Sequence, residues 1–341
     1  MTREPGRKRV AVLYTSVVDS LKGIEGKMRL DMDLEVSANE VTEALAAGGQ
    51  DARYFAFGPD AVALGAALRD YGADAVFNLS ECPLNSAQKE PHGAALLELL
   101  KIPYTGNGPL PLSVCNDKAL TKKILSASGI PTPEFRLYGS VPRGRSGLRF
   151  PVIVKPARED GSAGITEESV VDDERGLKNR VAHVIERYAQ EAIAEEYIGG
   201  REFNVGVLGN GTVADPYRTL PPAELVYRNP KWRVCSFESK WDENHPAFKE
   251  IAPECPARVP EPLGKRLAAV TLECAKEFGL RGYARVDFRM TRGGKLCVLE
   301  VNPNPDISSN AGLSRAGRAA GFTHNTLIHE ILRLGLALGA R

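Results

Sequence analysis

The 341-residue sequence is poor in the features that single out most specialised classes. Its six cysteines (Cys82, Cys115, Cys235, Cys255, Cys274 and Cys297) are scattered with no C-x-x-C pair, which offers neither a zinc site nor a disulfide framework and suits thiols in a reducing cytoplasm. No apolar run approaches the roughly 20 residues that span a bilayer. The N-terminal M-T-R-E-P-G-R-K-R leads straight into V-A-V-L-Y without the apolar region of a signal peptide. Net charge is only +1, with acids and bases interspersed, so neither nucleic acid nor a membrane surface is indicated as a partner. The five histidines lie apart with no metal-ligand spacing. Residues 113–115 form no nucleophile elbow. No G-x-x-x-x-G-K-[ST] run is present, and Gly106-Asn-Gly108-Pro109 does not complete a dinucleotide fingerprint. A soluble, cytoplasmic, globular protein is expected.

What is present is long enough for about two or three domains. The run 10–14 reads as a parallel strand buried on both faces. Ser37-Ala-Asn-Glu40 reads as a capping box for a helix that Gly48-Gly49 stops. Strands are expected at 52–57 and 75–79, and helices at 61–71 and 93–100, a β-α-β-α order that implies a doubly wound parallel sheet. Asn116 is expected to cap a helix over 117–128. After Pro131-Thr-Pro133 the texture changes, with strands at 151–156, 192–197 and 202–208 and a tight hairpin turn at Asn210-Gly211. Residues 221–262 carry eight prolines and read as a long loop of the kind that acts as a lid. A helix over 262–278 follows, and helices close the chain. The fold class is α/β and α+β, with an N-terminal doubly wound sheet.

The most informative segment is A-R-V-D-F-R-M, a turn T-R-G-G, and K-L-C-V-L-E-V-N-P-N-P. Side chains alternate along a strand, so Arg285 and Asp287 share a face, as do Glu300 and Asn302 on the returning strand. A regular turn would pair 285 with 300 and bring all four together. Four polar groups on one face are costly among apolar neighbours unless something satisfies them. Two carboxylates and an amide oxygen suit Mg²⁺, which prefers hard oxygen ligands and bridges to phosphates. A second candidate is Lys155, at the end of an apolar strand, followed by Arg158-Glu-Asp-Gly-Ser-Ala-Gly164. Gly161 and Gly164 would let backbone N–H groups approach phosphate oxygens.

Taken in order, Lys118, V-I-V-K-P, E-E-Y-I-x-G-R-E-F, Lys240-Trp241, G-Y-A-R-V-D-F and L-E-V-N-P-N-P resemble the ATP-grasp superfamily, and within it the D-alanine–D-alanine ligase-like family. The resemblance implies an N-terminal α/β domain (1–109), a small lid (110–194) and a C-terminal α+β unit (195–341), with ATP between the last two. It implies that Lys118 and Lys155 contact ATP phosphates beside Gly161 and Gly164. Glu195 and Glu202 would hold adenine and ribose, and Glu196, Tyr197 and Ile198 would form the linker beside the base. Asp287, Glu300 and Asn302 would bind two Mg²⁺ ions, for which Mn²⁺ can substitute. Arg285 would stabilise an oxyanion, Ser162 would lie in the loop closing over substrate, and Lys240 with Trp241 near the acceptor. The implied chemistry activates a carboxylate as an acyl phosphate that an amine then attacks. The substrates would be small amino acids, peptides or amines, and the likeness also suggests a homodimer.

The pattern departs from the family at the substrate end. Thr15-Ser-Val-Val-Asp-Ser20 replaces a Gly-Gly-x-Ser loop, and Asp33 stands where a glutamate pairs with the first amino acid's ammonium. The family's His-Gly motif becomes Asn78-Leu-Ser-Glu-Cys-Pro83 and then Glu90-Pro-His-Gly93. Asp306 replaces a glycine, Ala311 a serine that binds the acceptor's carboxylate, and Trp241 a tyrosine. Losing that serine removes a hydrogen bond to a charged group, commonly worth about 1.5–3 kcal/mol. The expected acceptor is therefore not D-alanine, but one with an extra amine, or without the α-carboxylate, that pairs with Asp306. The competing reading of Asp306 is a local turn bond. Two other functions compete: a nucleotide-binding protein that has lost ligation and acts as a sensor or interaction partner, and a Rossmann oxidoreductase, which the missing fingerprint disfavours.

Overall fold

Nearly continuous burial along the first strand sets the N-terminal architecture. The computed structural model describes residues 7–15, 25–81, 83, 86–229, 233–236, 239, 242 and 244–339, and over 25–34 the backbone alone. Strands β1 (Arg9–Thr15), β2 (Asp51–Phe57) and β3 (Ala75–Leu79) form a parallel sheet in the order β2-β1-β3. Helices α1 (Glu25–Ala47), α2 (Ala61–Tyr71) and α3 (Glu90–Leu99) complete the crossovers. Val10 and Val12 pack to one side with Val41 and Leu45, while Ala11 and Leu13 pack to the other with Leu68 and Leu97. The sheet is thus covered on both faces, as the continuous apolar run requires. Asp60 caps α2 by accepting from the N–H groups of Val62 and Ala63, and Gly72 closes it in the left-handed region.

Ser37 is not a cap. Helix α1 runs unbroken through it, and Ser37 is buried. Glu40 instead accepts from Ser309, at 2.6 Å from its N–H and 2.7 Å from its hydroxyl, so tertiary contact overrides the local signal. Asn116 likewise ends helix α4 (Pro109–Asn116), and Asp117 is the residue that caps α5 (Lys118–Ala127), accepting from Leu120 N–H.

The next layer is an antiparallel sheet in the order β4-β7-β5-β6, from β4 (Phe135–Tyr138), β5 (Val152–Pro156), β6 (Val170–Val171) and β7 (Ala192–Glu196). Helix α6 (Glu174–Tyr188) covers it with Leu177, Val181 and Val184, an i, i+4, i+7 stripe against Val152, Val154 and Ala194. Strand β7 runs across the border expected between 194 and 195.

The third sheet has the order β11-β10-β8-β12-β13, with β9 paired to β8. Its strands are β8 (Glu202–Gly209), β9 (Arg218–Thr219), β10 (Ala223–Tyr227), β11 (Ile251–Glu254), β12 (Gly282–Met290) and β13 (Leu296–Asn302). Segment 221–262 is therefore not all loop. Its prolines concealed two strands, and Pro253 is tolerated because β11 is an edge strand. Asn210-Gly211 is no tight turn either: β8 rejoins β9 through Val207↔Thr219 and Leu208↔Arg218, with a wider loop closed by Asn210 N–H donating to Asp215 O at 2.9 Å. Helix α7 (Glu261–Glu277) buries Leu267 and Cys274 against Phe203, Val205, Ala284, Val286 and Phe288. Each such large apolar side chain contributes about 1.5–3 kcal/mol on burial. Helices α8 (Gly312–Ala319) and α9 (His324–Ala337) return to the first sheet, where Leu327, Ile328 and Ile331 join Val10, Val12 and Val41 in one core.

Candidate active site

One face of the third sheet is turned from α7 and carries the polar residues. Phe203, Val205, Val286 and Phe288 point into the core, so Glu202, Asn204, Arg285, Asp287 and Arg289 point the other way. The β12–β13 register differs from the expected one: Arg285 lies opposite Asn302 and Asp287 opposite Glu300, with a bulge between Asp287 and Phe288 in the ladder. Phe288 pairs with Val298, leaving Leu299 as the extra residue. The bulge reconciles two demands. It lets Val298 and Val301 both enter the core while Glu300 and Asn302 stay on the polar face.

Arg285 donates to both oxygens of Asp287, Nε and Nη2 each at 2.7 Å, and Asn204 adds a third donor at 2.7 Å. Burial nevertheless pushes the Asp287 carboxyl upward. Burial would do the same to Glu300, but the charges of Lys118, Lys155 and Arg285 outweigh it and hold that carboxyl low. Asp287, Glu300 and the amide oxygen of Asn302 form a hard-oxygen set that fits Mg²⁺. Among the described residues no group of three or more His, Cys, Asp or Glu could hold an ion, so further oxygens would have to come from a ligand.

The cations come from α5 and the second sheet. Lys118, in the first turn of α5, is buried and donates to the Glu159 carbonyl, which ties the helix to the start of the glycine loop. Gly161, Ser162 and Gly164 all have positive φ (62°, 66° and 76°), and a Cβ on Gly164 would fall 2.6 Å from Pro156 Cγ. Ser162 pays a backbone cost there that glycine would not. Lys155, on β5, stands 2.9 Å from Glu195 Oε1. Burial opposes its charge, yet Glu195, Glu300 and Glu202 together raise its pKa.

Tyr197, Ile198 and Glu202, also expected at the nucleotide, converge on Arg289, which the sequence reading passed over. It donates from Nε to Glu202 Oε2 at 2.7 Å and from Nη1 to the Ile198 carbonyl at 3.0 Å. From Nη2 it reaches Tyr227 Oη and the Arg233 carbonyl, both at 2.9 Å. Its guanidinium lies over the Tyr197 and Tyr227 rings at 4.9 and 5.3 Å. Glu196 is held by the exposed Arg149. Strand alternation was the available signal: 285, 287 and 289 share a face. Lys122 was also missed, although it follows Lys118 by four residues on the same helix face.

At the substrate end, Asp306 is exposed and accepts from its neighbour Ser308, at 2.8 Å from the N–H and 3.1 Å from the hydroxyl. This is the local turn bond. Ala311 is buried at the N-terminus of α8 and offers no side-chain cap. Lys240, Trp241 and the side chain of Asp33 lie outside the described residues.

A parallel N-terminal sheet, an antiparallel second sheet with Lys155 buried against Glu195 and a third sheet with an oxygen-rich face define an ATP-grasp protein. The family model for the D-ala D-ala ligase C-terminus matches residues 129–333. The chain is 34% identical to the D-alanine–D-alanine ligase of Bordetella pertussis over 304 residues, 87% of this chain and 88% of that one. It is equally 34% identical to an uncharacterised protein of Sinorhizobium fredii over 257 residues, 75% and 73% of the two chains. In fold it is similar to the D-alanine–D-alanine ligase of Bacillus anthracis complexed with ATP, with a TM-score of 0.74 at 22% identity, covering 97% of this chain and 98% of that one. The chain belongs to the D-alanine–D-alanine ligase-like family.

Proposed function

We propose that the protein is an ATP-dependent ligase that joins a carboxylate to an amine through an acyl phosphate, with a substrate pair other than two D-alanines. One observation carries the reading: Glu300, which shares the oxygen face with Asp287 and Asn302, feels the charges of Lys118 and Lys155. Phosphoryl transfer needs that combination, because an anionic nucleophile must approach a triphosphate. Lys118 and Lys155 would neutralise phosphate charge, and Mg²⁺ held by Asp287, Glu300 and Asn302 would supply further neutralisation when bound. A substrate carboxylate oxygen attacks the γ-phosphorus and ADP leaves. The amine then attacks the acyl carbon and phosphate departs. Arg285 would meet the negative oxygen of the tetrahedral adduct, and one such donor is typically worth about 3 kcal/mol. The acyl phosphate hydrolyses readily, so the glycine loop carrying Ser162 would close to exclude water. Glu202, with Glu196 to Ile198 beside it, would seat ribose and base.

The acceptor is the less usual part. Ala311 has no hydroxyl to offer a carboxylate, which supports an acceptor other than D-alanine. The local bonds of Asp306 lower its claim as an amine receptor, since a competing ammonium would have to share its oxygens with Ser308. The test is phosphate release with Mg-ATP across a panel of amino acids, dipeptides and amines. An acceptor preferred over D-alanine is expected. D-alanine winning cleanly refutes the substrate assignment, and no ADP with any pair refutes ligation.

A further inference from the structure

Lys122 is fully enclosed, with no exposed surface. An ammonium in such a place is costly unless paired and hydrogen-bonded. Its Nζ stands 3.0 Å from Glu195 Oε2 and donates to the Leu299 carbonyl and the Thr132 hydroxyl, each at 3.1 Å. Glu195 presents its other oxygen to Lys155 at 2.9 Å. One buried carboxylate is therefore flanked by two ammoniums. The two cations are not equivalent. Both feel Glu300, but Lys122 is fixed by partners on three separate segments, whereas Lys155 also feels Glu202 on the polar face of the third sheet.

We propose that Lys122 is a positioning residue for nucleotide binding, a second counter-ion to Glu195 that frees Lys155 to engage a phosphate. The inference rests on the ATP-binding reading above. A phosphate that engages Lys155 competes with Glu195 for that ammonium and draws it away. With no second cation, that step would leave a buried carboxylate unpaired in a low-dielectric interior. Lys122 keeps it paired throughout. The same ammonium grips the carbonyl of Leu299, the bulge residue next to Glu300, so lid and metal-facing strand share one anchor.

The test is ADP binding to the full chain by calorimetry, with Lys122→Met made in the wild-type and in the Glu195→Gln backgrounds. Lys122→Met is expected to weaken ADP about tenfold or more in the wild-type background and less than about twofold beside Glu195→Gln, because a neutral amide needs no counter-ion. Equal losses in both backgrounds, the mark of a merely structural role, overturn the inference. Should the Glu195→Gln protein not fold, Lys122→Met alone decides: an ADP loss of about tenfold with adenosine held within about twofold supports it, and equal losses overturn it. Wild-type protein that binds no ADP overturns the nucleotide reading itself, and this inference with it.

Discussion

Arg289→Met is the substitution whose cost the structure specifies best. Arg289 and Glu202 have side chains only 6% and 12% exposed, and their closest approach is 2.6 Å. Methionine keeps the apolar stem and removes every donor, leaving Glu202 with only Tyr227 Oη, at 2.8 Å, among these bonds. The carbonyls of Ile198 and Arg233 lose a donor as well. Breaking a buried ion pair by removing one partner costs about 3–5 kcal/mol. At about 2 °C per kcal/mol for a chain of this size, the melting temperature should fall by roughly 6–10 °C in differential scanning calorimetry. Lysine should not restore it, because its single ammonium cannot serve Glu202, Tyr227 and two carbonyls in one plane. The KM for ATP should rise with the loss, since the residues expected around ribose and base hang on this guanidinium. A melting temperature within about 1 °C of wild type would refute the reasoning, since it would mean that the pair contributes almost nothing.

Glu90 supplies a pH test. It is buried, and burial, reinforced by the charge of Asp160, raises its pKa well above the ordinary carboxylate value, although Asn304 donates to it at 2.8 Å. The folded-state carboxyl thus ionises at higher pH than in the unfolded chain, and stability is lost as pH climbs from the ordinary range through that raised value. Glu90→Gln should raise the melting temperature more at about pH 8 than at about pH 5, and an equal difference at both would contradict the assignment. Cys274, whose thiol burial pushes up to about 12, should resist iodoacetamide at neutral pH in the native protein and react after denaturation, read by mass spectrometry. Rapid native labelling would place it elsewhere. Asp287→Asn should cut phosphate release by about a hundredfold or more while the fold survives. Activity near wild type would remove Asp287 from the proposed metal set.

Much of this architecture was legible because local patterns agreed with tertiary demands. The apolar run 10–14, the stop at Gly48-Gly49 and the helix over 61–71 all appear where expected. The failures share a cause. Ser37 looked like a cap, but its hydroxyl signal could not reveal that α1 continues, nor that Glu40 would serve Ser309, 269 residues away. The strands at 223–227 and 251–254 were hidden by prolines beside the first and within the second, and Pro253 is tolerated because its strand lies at the sheet edge. At the site, alternation together with an assumed regular turn placed Arg285, Asp287, Glu300 and Asn302 on one face. The register was missed because nothing local announces the bulge at Leu299. Lys122 and Arg289 went unnoticed because a single charged residue in a helix or strand is usually solvated; only the fold shows that both are enclosed.

The central claim is that a substrate carboxylate attacks the γ-phosphate of ATP on the face formed by Asp287, Glu300 and Asn302. Positional isotope transfer tests it most directly. A carboxylate substrate labelled with oxygen-18, turned over with Mg-ATP and the acceptor that the panel selects, should deliver one labelled oxygen to the released phosphate. Phosphate that forms without the label, under conditions of amide formation, would contradict it.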